Sequence, residues 1–454
     1  MDDVLYDTLL AYNSSNKLVG SLASSFALTP DASAVKVTLR SGVKFHDGST
    51  LTAKDVKFSF DRYVSIGQGT ASHLANYKST TVTDDTHLTI NLKHPDALFL
   101  GSLSKLYILS EKTVTAHAGS DQGQAWLGEH DAGSGPYKIH QGSVPVSVDR
   151  FADFWAYNDK RPKQIIWNQI AESSTKLDEL TSGQLDIGLN MQYAHANTAA
   201  KANGLKVAWA AVPNADFIFF NTASGPTANP DVRKALRLAY NYTDGLSRIR
   251  FDRGTIGNGP LPQTLPCLTD EAPFKQDLNK AKALLKSAGQ SHLTLTLRFQ
   301  PSLNDQVKEA TLYQSDLRRI GVTLNLSPIT FPDYITSLSR PSTIPQMALV
   351  GDTAPEPDPG IYLRTAYSSP KIGTTNRAGY HNAQVDSLLE KAATTTGEKA
   401  RCDIYRQVQR RINADAPAID VATLQAPLVY RDGLKGVTGS QTVFPMSLRP
   451  VTLR

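Results

Sequence analysis

The segment Leu39-Arg40-Ser41-Gly42-Val43-Lys44-Phe45-His46-Asp47-Gly48-Ser49-Thr50-Leu51-Thr52-Ala53-Lys54-Asp55-Val56 constrains the fold most, because it compresses a strand end, a tight turn and a helix start into one short run. Val35 to Leu39 alternate as a strand, and Asp47-Gly48 supplies a turn. Thr52 stands where an N-cap belongs, with Asp55 three residues on in the manner of a capping box. Taken alone, the pattern suits any strand-turn-helix of a globular protein.

A chain of 454 residues is too long for one ordinary core, so two or three domains are expected. Its 47 Lys+Arg against 42 Asp+Glu give a net charge of +5, without a basic block. Arg318-Arg319 and Arg410-Arg411 are the densest clusters, and both fall in amphipathic helical patterns. Solvated helix faces explain them better than a nucleic-acid footprint does. No apolar run approaches membrane-spanning length, so no transmembrane segment is expected. Cys267 and Cys402 either pair in an oxidising space or remain two buried thiols. Neither has a CxxC partner, the histidines are dispersed and HExxH is absent, so no metal site and no cofactor is expected. GxSxG, Walker and dinucleotide glycine motifs are also missing. Asp84-Asp85 and Glu356 with Asp358 are paired carboxylates in turn-like sequence, which suits solvated loops better than hydrolysis, so no catalytic residue is assigned.

Further informative segments follow one another along the chain. They are Leu5-Tyr6-Asp7-Thr8-Leu9-Leu10, Leu22-Ala23-Ser24-Ser25-Phe26, Gly133-Ser134-Gly135-Pro136-Tyr137-Lys138-Ile139, Phe219-Phe220-Asn221-Thr222 and Val232-Arg233-Lys234-Ala235-Leu236-Arg237-Leu238-Ala239. Asp277 to Gly289 follows as a helix with Gly289 as C-cap, then Asp316-Leu317-Arg318-Arg319-Ile320-Gly321-Val322 and Tyr380-His381-Asn382 with Val385-Asp386-Ser387-Leu388-Leu389. With the opening segment, this series resembles the peptide and nickel family of extracellular solute-binding proteins of ABC transporters, family 5.

The resemblance implies an α/β, two-lobed periplasmic-binding-protein-like fold with an extra subdomain on the first lobe. Residues 1–12, 141–221 and 441–454 would form lobe one, 13–140 the extra subdomain and 222–440 lobe two, with hinges at Phe219 to Thr222 and Val437 to Ser440. Alternating helical and strand-like runs such as Leu293 to Phe299 and Val322 to Ser327 agree with α/β layering. The implied function is capture of a short peptide or peptide-like zwitterion and its delivery to an ABC permease, by a monomer at the periplasmic or extracellular face of the membrane. Other cargoes within the class are a metal chelate, an oligosaccharide or an opine. A ligand-sensing regulatory module and an enzyme are the competing classes. Family members run through a secretion signal, a first strand and a loop before the point matching Met1, and a lipid anchor would belong to that region.

Six residues are candidates for the ligand site. Leu293 to Leu297 alternate as a strand and deliver Arg298 at its carboxyl end, where open α/β sheets bind ligands. The resemblance gives Arg298 the peptide's carboxylate, a task suited to a planar, permanently charged fork. Gln346 to Asp352 reads as a second strand, and the resemblance gives Asp352 the peptide's ammonium group, with Asp358-Pro359 as the competing alignment. The plainer readings are a surface arginine for Arg298, and for Asp352 a turn cap or a pair with an arginine of lobe two. Gly351, Asn221 and Gly135 are candidate backbone donors, and Tyr334 a candidate aromatic lining, although an aromatic at helical spacing is more often core. The family's tryptophan before the acid is absent from Ala348-Leu349-Val350-Gly351, which implies a differently shaped pocket.

Overall fold

The computed structural model describes residues 1–13, 16–142, 144–439 and 446–454. These fall into two units: Met1–Ala208 with 427–439 and 446–454, and Trp209–Ala426.

In the first unit, antiparallel strands β1 (Ala23–Leu28), β2 (Ala34–Leu39), β3 (Tyr77–Val82) and β4 (His87–Leu92) form a sheet in the order β1-β2-β4-β3. Helix α1 (Ala53–Ile66) packs on it, because Val56 and Phe60 lie one turn apart on a buried face against Val35, Val37 and Ile90. The opening segment folds as its pattern predicts. Gly48 adopts a φ of +83°, which favours glycine, and both the amide and the hydroxyl of Thr52 donate to Asp55 Oδ2, at 2.8 and 3.0 Å. A second core gathers Val4, Leu5, Leu109, Tyr137 and Val148 around the sheet β5 (Tyr137–Ile139), β6 (Ser147–Arg150) and β7 (Gln164–Ile166). A cavity of about 820 Å³ lies beside β7 and the short strand Ile187–Gly188, walled by Ile165, Trp167, Leu448 and Val451.

The second unit is built on strands β8 (Leu205–Phe220), β9 (Leu293–Phe299), β10 (Val322–Pro328), β11 (Met347–Thr353) and β12 (Ala418–Arg431), in the order β12-β8-β11-β9-β10. β9 runs parallel to β10 and β11, while β8 runs antiparallel to β11. Paired residues share a face, so the two sides can be read from the register. Leu295, Leu297, Met347, Leu349 and Ile218 face helices α2 (Pro230–Ala239), α3 (Leu278–Ser287) and α4 (Asn304–Arg318). Phe217 and Phe219 face α6 (Pro359–Tyr367), α7 (Ala383–Thr394) and α8 (Glu398–Asp415), and Ala348 and Val350 on that same side pack with Tyr334 of α5 (Phe331–Ser337). The helix read over Asp277 to Gly289 is α3, with Asp277 Oδ1 accepting from the Lys280 amide at 2.9 Å and Gly289 at a φ of +69°. Cys267 and Cys402 are joined by a disulfide, Cα to Cα 5.0 Å, which fixes the loop before α3 to α8.

The division between units falls inside β8 and β12. The sequence reading set the crossings later. Phe219 and Phe220 are instead core residues of the second unit, and Thr222 Oγ1 is bonded to the carbonyls of Ala378 and Gly379. Val437 lies in the first unit and is buried, while Ser440 lies outside the described residues. At both crossings the strands lapse into half-buried residues, 207–209 of β8 and 424–426 of β12, a lapse too short for local sequence to mark as a boundary.

Candidate functional site

The parallel strands β9 and β11 bring Arg298 and Asp352 to one face of the sheet of the second unit. Arg298 is in register with Ala348, and Asp352 follows that residue on the same side of β11. At about 3.3 Å per residue, Asp352 lies roughly 13 Å farther along the strand direction. Both sit toward the carboxyl ends of their strands, where an open sheet leaves room for a ligand.

Arg298 is half-buried, and its Nη1 donates to Ser327 Oγ on β10 at 2.7 Å. It makes no ion pair among the described residues. A positive charge held on a strand with only a hydroxyl beside it is open to an incoming anion.

Asp352 is held differently. Arg377 Nη2 donates to its Oδ1 at 2.8 Å and the Tyr362 hydroxyl donates to its Oδ2 at 3.2 Å, so each carboxylate oxygen already has a donor. The side chains of Asp352 and Arg377 are each 13% exposed. Burial works against the Arg377 charge, yet the facing carboxylate holds its guanidinium above the ordinary value. Burial, reinforced by the Asp352 charge, keeps the Tyr362 hydroxyl protonated well above the usual tyrosine range. Of the readings of Asp352, the pairing with an arginine of the second lobe is the one seen here, and the partner is Arg377, which sequence reasoning did not single out. It stands in the loop after α6, 25 residues from its partner, and no local motif announces the contact.

The other candidates are placed in the fold. Tyr334 is 1% exposed and packs with Leu338, Ile344 and Val350, with the Arg377 guanidinium 5.9 Å from its ring centroid. It supports Arg377 from beneath and does not line a surface. Gly351 faces the opposite side of the sheet, paired with Asp216, where a Cβ would meet Asp216 Oδ1 at 3.4 Å. The Asn221 backbone amide, the expected donor, is bonded to the Gln346 carbonyl at 3.0 Å, while its side-chain Nδ2 donates to the Ile344 carbonyl at 3.1 Å and Oδ1 accepts from the amides of Ala223 and Ser224. Gly135 belongs to the first unit, its amide bonded to the Leu5 carbonyl at 2.9 Å, and is pressed against the short helix Asp2–Leu5, where a Cβ would lie 2.4 Å from the Val4 carbonyl oxygen. Asp358, the competing acid, caps α6 by accepting from the Gly360 amide at 2.7 Å. The structure therefore brings Arg298, Asp352 and Tyr334 to one face, and leaves Gly351, Asn221 and Gly135 in structural roles.

Behind the sheet, Arg250 ties Asp216, Asp305 and Glu309 together, donating to Glu309 Oε1 at 3.1 Å and to Asp305 Oδ2 at 2.9 Å. Burial raises the Asp216 and Glu309 carboxyls despite Arg250, Glu309 to about 8. No group of side chains suited to a metal ion occurs among the described residues, and no helix among them is long and apolar enough to cross a membrane.

Comparison with known proteins agrees with this layout. The glutathione-binding protein of Pectobacterium atrosepticum is 28% identical over 92% of this chain and 82% of its own length. A probable D,D-dipeptide-binding periplasmic protein of Escherichia coli is 26% identical over 95% of this chain and 85% of its own. A periplasmic binding protein of Helicobacter pylori, solved with the peptide STSA, superposes with a TM-score of 0.84 at 25% identity, covering 99% of this chain and 92% of that one. The α/β, two-lobed fold expected from the sequence is thereby shown. The family described as bacterial extracellular solute-binding proteins, family 5, matches residues 17–374, and the chain belongs to that family.

Proposed function

We propose that this solute-binding protein works outside the cytoplasm, taking up a short peptide or peptide-like acid and handing it to the permease of an ABC importer without altering it chemically. The observation that carries the reading is Arg298, a half-buried guanidinium at the end of β9 with Ser327 as its hydrogen-bond partner and no carboxylate paired to it among the described residues. A ligand carboxylate is the group that satisfies such a fork bidentately. The names of the relatives support the cargo class, since they bind glutathione or dipeptides. Asp352 takes part through Arg377, and Tyr334 through the support it gives that guanidinium. The separate cores of the first unit support a subdomain within it, although the core from Leu9 to Ile108 is narrower than the 13–140 expected from the sequence, since Leu109, Val114, Ala132 and Tyr137 pack instead with Val4 and Val148.

Native mass spectrometry of the purified protein, followed by calorimetry with the released compound, tests this reading. Stoichiometric binding with recovery of unchanged ligand is expected. Conversion of the ligand to product would place the chain among enzymes instead.

A further inference from the structure

The arrangement around Asp352 specifies what the cargo's second end looks like, given the reading that the cargo is a peptide-like acid held on this face. A carboxylate recognises an ammonium group by offering it free acceptor oxygens. Here Arg377 and Tyr362 occupy one oxygen each, at 2.8 and 3.2 Å. Each oxygen keeps a second lone pair, but an ammonium group reaching it would stand beside the Arg377 guanidinium and share a carboxylate whose charge that group already neutralises. Repulsion between the two cations, and the water the arriving one gives up, make that position unfavourable.

The guanidinium also has capacity to spare. Arg377 Nε is buried and meets no acceptor among the described residues, although Nη2 is committed to Asp352. The subsite therefore holds a guanidinium with a donor to spare beside the carboxylate, the wrong sign of charge for an ammonium group. Taken with Arg298 at the other end of the face, two guanidinium groups stand against one carboxylate. The surplus positive charge suits an anion with a neutral, acceptor-bearing far end.

We propose that Arg377 closes the Asp352 subsite to ammonium groups, and that the cargo is an acid with one free carboxylate and an uncharged acyl or amide end, such as an N-acylated peptide. Arg377 is then the specificity-determining residue: it turns a position that would accept a free amino terminus into one that donates to a carbonyl.

Equilibrium dialysis of the whole protein against paired libraries of dipeptides to tetrapeptides tests this. One library carries free amino ends and the other acetylated ends, all with free carboxylates, and the retained fraction is read by mass spectrometry. The wild type is expected to retain acetylated members about tenfold or more over their free-amine counterparts, equivalent to one decade in dissociation constant. Arg377→Gln, which uncovers Asp352, is expected to swing the ratio toward free amines by at least about tenfold, whereas Arg377→Lys keeps the acetyl preference. Preferential retention of free-amine peptides by the wild type overturns the inference, and so does an unchanged ratio in Arg377→Gln. The wild-type ratio decides even if a variant fails to fold. Retention of no member of either library would remove the peptide-cargo reading itself, and this inference with it.

Discussion

Arg377 and Asp352 form a nearly buried ion pair, Nη2 to Oδ1 2.8 Å, joining the loop after α6 to the end of β11. Neither charge reaches bulk water freely, so removing one strands the other in a poorly solvated place. Asp352→Ala is expected to lower unfolding stability by about 3 kcal/mol, toward the low end for breaking a buried pair because each side chain keeps some exposure. Urea denaturation at neutral pH measures it. A double variant with both residues replaced by apolar ones of similar volume should recover much of the loss, and equal damage in single and double variants would deny the pairing its role.

Arg298 makes the opposite prediction. It is half-buried, bonded to a neutral hydroxyl and free of ion pairs among the described residues, so Arg298→Ala should change stability by less than about 1 kcal/mol. Binding is where the loss is expected. Affinity for cargo with a free carboxylate should fall by about 2 kcal/mol or more, while an amidated version of the same compound is unaffected. Calorimetry on the two forms reads the difference, and equal losses would move the carboxylate contact elsewhere.

How much of this was legible in the sequence depended on whether the cause was local. Leu293 to Leu297 could be read as a strand because alternate residues are buried, and the helix over Asp277 to Gly289 carries its own start and stop signals. The positions of Arg298 and Asp352 on one face follow from that strand periodicity. The Arg377 contact was not legible, since the fold alone brings together residues 25 apart with no shared motif. Asn221 was read as a ligand donor, but Asn221-Thr222-Ala223-Ser224 is an Asx-type turn in which the side chain folds back onto the next amides, a signal present in the sequence and outweighed by family analogy. Tyr334 followed the ordinary rule that an aromatic at helical spacing is core. The pairing of Cys267 with Cys402 needed the three-dimensional approach of two segments.

That disulfide closes a loop with a sequence separation of 135, so the unfolded chain loses considerable freedom when it is present. Loop-closure entropy puts the stabilisation at about 5 kcal/mol as an upper figure. Cys402→Ala, or full reduction, is expected to lower the midpoint of urea unfolding measurably in the second unit, with the mutant insensitive to reductant. A wild-type midpoint that does not move under reductant would show that the bond contributes nothing to stability.

Glu309 gives the chain a pH dependence whose sign follows from its burial. Its carboxyl is raised in the folded protein from an ordinary 4.5 to about 8, chiefly by desolvation, with Arg250 only partly compensating and Asp216 adding repulsion. Below pH 4.5 the carboxyl is protonated in both the folded and the unfolded chain, so it adds no slope. Between 4.5 and about 8 the unfolded chain has released this proton and the folded one still holds it, so stability falls as pH rises across that window and levels off above it. Glu309→Gln keeps a neutral side chain of the same shape at every pH and should remove this part of the slope. The stability of the variant relative to the wild type is expected to climb by at least about 1 kcal/mol between pH 4.5 and 8. Parallel stability curves for the two proteins over that range would show that Glu309 is ionised in the folded state throughout.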